Sequence, residues 1–249
     1  MENSCVHSDF LIIIPCYNEV QNIKGVIADL RSAIGRRADI VVIDDCSTDE
    51  TFKLLPALDV ITITLPFNLG YSGALQTGYK YAFTHGYEQV LQFDADGQHL
   101  ASEIQTLLNA HKQYNADIII GSRFAESGRS HDSFLKKIAT GLFCKLIKII
   151  TGETIHDPTS GFQLLNRRAL ERYVKIHNFP YYPDANIIIE MILNGFSVKE
   201  VQVAMRDRQH GSSMHSGLVR QSIYMTTLFY SIFIIVLKYF PQKLHHKAR

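Results

Sequence analysis

The chain has 249 residues, 46% hydrophobic and 20% charged, with a formal net charge of +1. That is enough apolar material for one large domain with a sizeable core, and it excludes a disordered or collagen-like chain. The near-neutral balance removes any bulk electrostatic case for nucleic acid or an acidic partner.

Residues 1–9 are polar and lack the basic flank and apolar core of a secretory leader, so none is expected. Residues 10–15 (FLIIIP) form a continuous apolar run stopped by proline, the pattern of a strand buried on both faces. A loop at 16–19 leads to a helix over 21–34, where Ile23, Val26, Ile27, Leu30 and Ile34 recur at helical spacing and Gly35 can end it. Residues 40–45 (IVVIDD) make a second buried strand ending in two carboxylates. Ser47, with Glu50 three residues on, then reads as a capping box opening a helix. A third strand over 60–65 precedes a glycine-bearing turn at 68–73 and a helix over 74–85. A fourth apolar run, from Val90, delivers Asp94, Ala95 and Asp96; a helix over 101–114 and a fifth strand over 117–123 follow.

Strands alternating with helices at this spacing imply βαβ units: an α/β fold with a mainly parallel central sheet and helices on both faces. No G-x-G-x-x-G follows the first strand and no G-x-x-x-x-G-K-[ST] is present. A dinucleotide-binding Rossmann domain is therefore not expected, and a P-loop NTPase is excluded. Asp44 and Asp45 close one strand, Asp94 and Asp96 another, and Arg123 a third. Parallel strands would gather these charges at one edge, where open α/β sheets bind ligands. Two carboxylates at i and i+2 followed by glycine suit a divalent cation on a phosphate, because Mg²⁺ and Mn²⁺ prefer oxygen ligands and share substrate phosphates. The competing reading is a turn at Asp96 with Asp94 as a helix cap. Convergence of charged strand ends favours the metal.

Six motifs stand in order: PCYNE (15–19), DDCSTD (44–49), NLG (68–70), DADGQH (94–99), GSR (121–123) and TSGF (159–162). Together they resemble the family 2 glycosyltransferases, in particular the dolichol-phosphate mannosyltransferase-like and polyprenyl-phosphate glycosyltransferase branch. The resemblance implies a GT-A domain over 1–215, with a nucleotide-sugar-binding half over 10–123 and an acceptor half over 124–215. It implies an inverting enzyme that moves a sugar from a UDP- or GDP-sugar. Pro15, Tyr17 and Glu19 would then surround the base and ribose, and Asp45 would contact the nucleoside. Asp94 and Asp96 would hold the donor diphosphate through Mg²⁺ or Mn²⁺, Gln98 would complete the metal shell, and Arg123 would grip phosphate oxygens. A metal and a fixed guanidinium aimed at the departing diphosphate stabilise charge that grows in the transition state.

In the second half, residues 125–133 are polar and read as a loop over the site. A helix over 135–151 has a wide apolar face flanked by Lys136, Lys137, Lys145 and Lys148. It reads either as packed on the sheet or as lying on an anionic membrane. A turn at 156–162 precedes a strand over 163–166. The resemblance makes Asp157 and Ser160 acceptor-side candidates, against a purely local turn cap at Asp157. Asp184 opens an apolar helix over 185–194 and is either its cap or, by position in the family, a general base. A hydroxyl acceptor needs such a base, whereas an anionic lipid phosphate does not. Residues 206–214 resemble the family's R-x-x-G-x-S-K segment, aligning Arg208. Met214 stands where the mannosyltransferase branch has lysine, so that contact is lost or passes to His215 or Arg220.

The sixteen residues 222–237 are uncharged and apolar. As a helix they would rise about 24 Å, slightly short of the ~30 Å hydrocarbon core. Residues 216–249 form a C-terminal unit of this helix and a basic tail, with Lys238, Lys243, Lys247 and Arg249. The segment reads as a transmembrane anchor, an in-plane membrane helix or an oligomer contact, with membrane association favoured; together with the family resemblance this gives an expected place at the cytoplasmic face of the membrane. With no second such segment, a flippase or channel is not expected. The four cysteines (Cys5, Cys16, Cys46, Cys144) have no C-x-x-C pairing and read as reduced thiols. The expected partners are a nucleotide-sugar donor and a lipid-phosphate or glycan acceptor, with no nucleic acid. Two rival classes remain. A sugar-nucleotide-forming nucleotidyltransferase is disfavoured because residues 10–20 contain no glycine. The other is a non-catalytic nucleotide-sugar-binding protein.

Overall fold

A computed structural model describes residues 8–124, 134–177, 179–206 and 218–247, with side chains described from 140 in the helix over 134–151 and over 219–239 in the last helix. Arg208, Met214 and His215 lie outside the described residues, as does the loop over 125–133. The first half alternates β1 (Phe10–Cys16), α1 (Ile23–Ile34), β2 (Ala38–Asp44), α2 (Thr51–Leu54), β3 (Ile61–Thr64), α3 (Gly70–Thr84), β4 (Gln89–Gln92), α4 (Ile104–Tyr114) and β5 (Ile118–Ser122). The second half adds α5 (Phe134–Thr151), β6 (Gln163–Asn166), α6 (Arg167–Val174), α7 (Ala185–Leu193), β7 (Val198–Gln202) and α8 (Leu218–Lys247).

Seven strands among the described residues form one sheet in the order β3-β2-β1-β4-β6-β5-β7. The β1–β2, β2–β3, β1–β4 and β5–β7 pairs are parallel, and β6 runs antiparallel between β4 and β5. Inserting β6 backwards has a functional consequence. The carboxyl ends of the parallel strands and the segment leading into β6 all meet at one edge of the sheet. The chain reverses its direction of travel across the sheet between β1 and β4, the switch point where such sheets open a crevice.

β1 is apolar throughout because both of its faces are covered. Leu11 and Ile13 join a core with α3, α5, α6, α7 and α8, whereas Phe10, Ile12 and Ile14 pack with α1 and α4 on the opposite face. Helices thus cover both faces.

Several local expectations are corrected by the packing. The capping box at Ser47 does not form: α2 begins at Thr51, and the Ser47 hydroxyl accepts the Asn18 amide at 2.9 Å. α3 begins four residues earlier than apolar spacing suggests, at Gly70, because its cap comes from another strand. Asp45 accepts the Leu69 and Gly70 amides at 2.7 and 2.8 Å. α6 and the edge strand β7 were not expected from the sequence. Asp184 occupies the N-cap position of α7 without a side-chain capping bond.

Candidate active site

β4 leaves the sheet at Gln92, and the following turn carries Asp94 and Asp96. Gly97 has φ of 77°, a conformation in which a Cβ would be strained, so the turn after the second carboxylate needs glycine. Asp94 is aimed by a buried relay. The Tyr79 hydroxyl donates to Gln92 Oε1 at 2.7 Å, Gln92 Nε2 donates to the Tyr71 oxygen at 2.7 Å, and the Tyr71 hydroxyl donates to Asp94 Oδ1 at 2.9 Å. Burial holds both phenols far above the usual tyrosine range, so they serve as donors. On the other side, the Asp94 amide donates to His99 Nδ1 at 3.1 Å, and His99 Nε2 lies 3.6 Å from Asp94 Oδ2. Burial pushes the His99 pKa down to about 4, keeping the ring neutral between Phe93 and Phe162. Asp96 is nearly buried, and its Oδ1 accepts the Gln98 amide at 3.0 Å. A Cβ on Gly161 would come within 3.0 Å of Asp94 Oδ2, Gln92 Nε2 and Tyr71 Oη, so the TSGF motif closes tightly over this carboxylate.

Arg123, at the end of β5, is gripped from below. Its Nε and Nη2 donate to Asp157 Oδ2 and Oδ1 at 2.8 Å each, and its own amide donates to Oδ2 at 3.0 Å. Asp157 is fully buried. Its amide and that of His156 donate to the Glu200 carboxylate of β7, both at 2.7 Å. Ser160 is also buried, and its hydroxyl donates to the Gly121 carbonyl at 2.6 Å. Asp157 and Ser160 therefore both meet β5 at its carboxyl end. In this geometry, Asp157 acts on the guanidinium.

The other end of the edge belongs to β1 and β2. Asn18, at φ of 55°, accepts the Thr48 and Asp49 amides at 2.8 and 3.2 Å, knitting the two loops into one lip. Tyr17 is exposed on this lip, and Glu19 Oε2 accepts from Asn22 Nδ2 at 2.6 Å. Pro15 lies within β1, paired in register with Ile43. Ala95 is buried between the two carboxylates, with its side chain in the α1–α4 core. Asp45 has both oxygens on the start of α3, and burial raises its pKa. Asp44 is fully buried, and its Oδ2 has no hydrogen-bond partner among the described residues. Such an orphaned acceptor at a strand end is what an N–H or O–H of a ligand would satisfy. A cleft between the start of α1 and the carboxylate turn is lined by Asn22, Val26, Asp29, Asp96, His99 and Arg206. The Gln98 carbonyl accepts the Arg206 amide at 2.8 Å across it.

Asp184 completes the edge from the far side. Tyr224 of α8 donates to its Oδ2 at 2.8 Å. Burial pushes the Asp184 carboxyl up to about 7, with Asp94 and Asp157 adding and Tyr224 and Arg123 opposing. Ser72 of α3 donates to the Pro180 carbonyl at 2.6 Å, pinning the segment that carries Asp184. Tyr182 packs edge-on to Tyr224 at 4.9 Å between ring centres, beside the exposed Tyr181.

Among the described residues, no three His, Cys, Asp or Glu side chains are grouped to enclose a metal. Asp94 and Asp96 supply carboxylate oxygen alone, which suits a hard cation that shares a substrate's phosphates better than one needing a full protein cage. The donor set fits Mg²⁺ or Mn²⁺. Tyr71, Gln92, His99 and Glu200 orient this edge and were missed from the sequence. Their types and spacing carry no signal until β4, β6 and α3 are assembled, although His99 stands inside the DADGQH motif.

A family model for glycosyl transferase family 2 matches residues 11–174. Polyprenol monophosphomannose synthase of Mycolicibacterium smegmatis is 29% identical over 216 residues, covering 83% of this chain and 81% of that protein. Undecaprenyl-phosphate mannosyltransferase of Micrococcus luteus is 27% identical, covering 87% and 92%. Among solved structures, a Pyrobaculum calidifontis mannosyltransferase in complex with GDP-Man and Mn²⁺ superposes with a TM-score of 0.64 at 17% identity, covering 92% of this chain and 65% of that one. Glucosyl-3-phosphoglycerate synthase of Mycobacterium tuberculosis, with Mn²⁺, UDP and its product, gives 0.63 at 16% identity, covering 91% and 80%. The fold is that of the GT-A glycosyltransferases.

Proposed function

The chain belongs to glycosyl transferase family 2 and is a glycosyltransferase, and from that premise we propose that it moves a sugar, with inversion, from a nucleotide diphosphate donor to a polyprenyl phosphate. One observation carries the site assignment. Asp94 and Asp96 after β4 and Arg123 after β5, held by Asp157 from the turn before the intervening β6, gather at one edge of the sheet, with Asp184 facing them. Relatives named for polyprenol and undecaprenyl phosphate support the acceptor class.

In this reading the half over 10–123 binds the donor and the half over 124–215 takes the acceptor. Tyr17, Glu19 and Pro15, with Asp45 behind the lip, line the nucleoside end. Asp94 and Asp96 would hold Mg²⁺ or Mn²⁺, which would supply positive charge against the departing diphosphate. Gln98 and Arg123 are assigned to the same phosphates, and the R-x-x-G-x-S segment assigns Arg208 to them by resemblance alone. Arg123 acts as a preoriented fork, since Asp157 has already fixed its plane. The acceptor phosphate is anionic and attacks without losing a proton, so Asp184 is not required as a base for it. The free thiols Cys16, Cys46 and Cys144 agree with the cytoplasmic membrane face.

The test is a thermal-shift and turnover screen of GDP- and UDP-sugars with Mn²⁺ and a polyprenyl phosphate. Wild type should be stabilised by one donor class and transfer its sugar, and Asp96→Ala should do neither. Intact donor turnover in Asp96→Ala would sink the assigned metal role. A second reading, transfer to a glycan hydroxyl, is favoured by the raised pKa of Asp184, which suits a general base.

A further inference from the structure

α8 contains a stretch, Val219–Tyr239, long and apolar enough to cross a membrane. Length does not decide its placement, because 21 residues rise about 31 Å against a ~30 Å core. Its packing does decide. One face is sealed into the protein, with Leu228, Ile232, Ile235 and Tyr239 buried in the core shared with α7. The same face is zipped to α7 by polar pairs along its length. Tyr224 donates to Asp184 at 2.8 Å, Asn186 to Ser231 at 2.9 Å, Lys238 to Glu190 at 3.0 Å, and Asn194 to Tyr239 at 2.7 Å. The partners advance together in both helices, so α7 and α8 run parallel. The opposite face is an exposed stripe of Val219, Ile223, Tyr230, Phe233 and Leu237, each more than half exposed.

The charges indicate the occupant. α5 packs on α8 through Phe143 and Phe229, with ring centres 5.4 Å apart. Neither helix contains a single Asp or Glu, though the chain has 24 of them, while α5 carries four lysines and α8 carries Arg220 and three lysines. Lys145, Lys148 and Arg220 are exposed. A second copy of the chain would gain nothing from this bias, and two such faces would repel each other. An anionic bilayer matches it.

We propose that α8, with α5 beside it, is an in-plane membrane seat: it lies flat on an anionic bilayer, apolar stripe down, and does not span it. Spanning would detach α8 from α7 and strip Asp184, Asn186, Glu190 and Asn194 of these contacts. The inference rests on the lipid-phosphate reading only for its purpose. It brings Tyr182 and Asp184, and so the acceptor side of the edge, toward the surface where a lipid's phosphate resides.

The chain has no tryptophan, so Val219→Trp, Tyr230→Trp and Leu237→Trp each install a single reporter on the stripe. The full chain is mixed with phosphatidylglycerol–phosphatidylcholine vesicles, some brominated near the headgroup and others deep in the acyl chain. Flat seating predicts that all three are quenched best by the shallow label, to a similar extent. Deep quenching confined to Tyr230→Trp would mean that α8 spans and would overturn the proposal. Absence of vesicle binding with concentration-dependent dimers would also overturn it. Ile223→Glu combined with Phe233→Glu should lower vesicle pelleting at least tenfold while donor-induced thermal shifts persist. Flat seating with no turnover of any donor would count against the transferase reading alone.

Discussion

Arg123 and Asp157 meet fork to fork, with two parallel N–H···O bonds of 2.8 Å on a fully buried carboxylate. Two supports converge on that carboxylate: the Arg123 amide bonds it directly, and Glu200 fixes the amide at its base. A phosphate-binding arginine on a flexible stem would lose rotamer freedom with each donor bound. Here the geometry is set during folding.

Breaking such a pair from the buried side removes the acceptor for three donors at once. Asp157→Ala should therefore cost about 3 kcal/mol, the low end for a buried pair, because Arg123 keeps some access to water. Urea unfolding measures this. A double-mutant cycle with Arg123→Ala should show coupling above about 1 kcal/mol, and strict additivity would mean that the two side chains act independently.

The Tyr79–Gln92–Tyr71–Asp94 relay makes a separate claim about metal affinity. Tyr71→Phe leaves Gln92 Nε2 and Asp94 Oδ1 each short of a partner in a buried setting. The stability cost should be about 1–3 kcal/mol. Mn²⁺ affinity, measured by calorimetry with donor present, should fall about 10- to 100-fold, as is usual when a ligand loses its outer hydrogen bond. Unchanged Mn²⁺ affinity in a folded Tyr71→Phe protein would remove Asp94 from the metal shell.

How much of this could be read in advance depends on the range of the interaction. β1, β2, β4 and β5 were legible because strands buried on both faces are continuous apolar runs, and their charged ends are adjacent in sequence. The α3 start was not, because Asp45 caps it from 24 and 25 residues away. Ser47 and Glu50 matched a local rule, but the Asn18 side chain and backbone took up this loop's polar groups from the neighbouring strand end. β7 shows mixed exposure at the sheet edge, so its sequence has no buried-strand signature. Asp157 lay in a turn two residues before the TSGF motif, yet its partner Arg123 is 34 residues away. Local patterns located the edge; only the assembled sheet assigned each carboxylate a neighbour.

His99 supplies a pH dependence of stability. Its pKa is pushed down to about 4 by burial, against 6.5 for an exposed ring. Between those values the unfolded chain binds a proton that the folded site refuses, so stability falls as pH drops from about 6.5 to about 4 and then levels. The His99 contribution to that fall should approach about 3 kcal/mol. His99→Gln should flatten it. Denaturant melts of metal-free protein at pH 4.5 and pH 7.5 decide the matter, and an equal pH dependence in both proteins would show that His99 is not the titrating group.

Asp184 tests what receives the sugar. Burial pushes its carboxyl up to about 7, and the Tyr224 hydroxyl opposes that by stabilising the ionised form. Below pH 7 the group is mostly neutral and can stand beside an anionic phosphate; above it, the ionised form repels that phosphate. Transfer to a polyprenyl phosphate should therefore fall in wild type as pH rises past about 7, relative to Asp184→Asn, which stays neutral. Tyr224→Phe removes the opposing bond, so its fall should begin at higher pH. Asp184→Asn itself should keep activity within about tenfold, since the acceptor phosphate has no proton to surrender. A general base would behave oppositely: wild-type rates would rise through pH 7, and Asp184→Asn would lose about 10²- to 10⁴-fold. Rate–pH profiles of the three proteins on polyprenyl phosphate separate these outcomes, and the second pattern would overturn this role for Asp184; transfer to a glycan hydroxyl with no transfer to polyprenyl phosphate would reassign the acceptor.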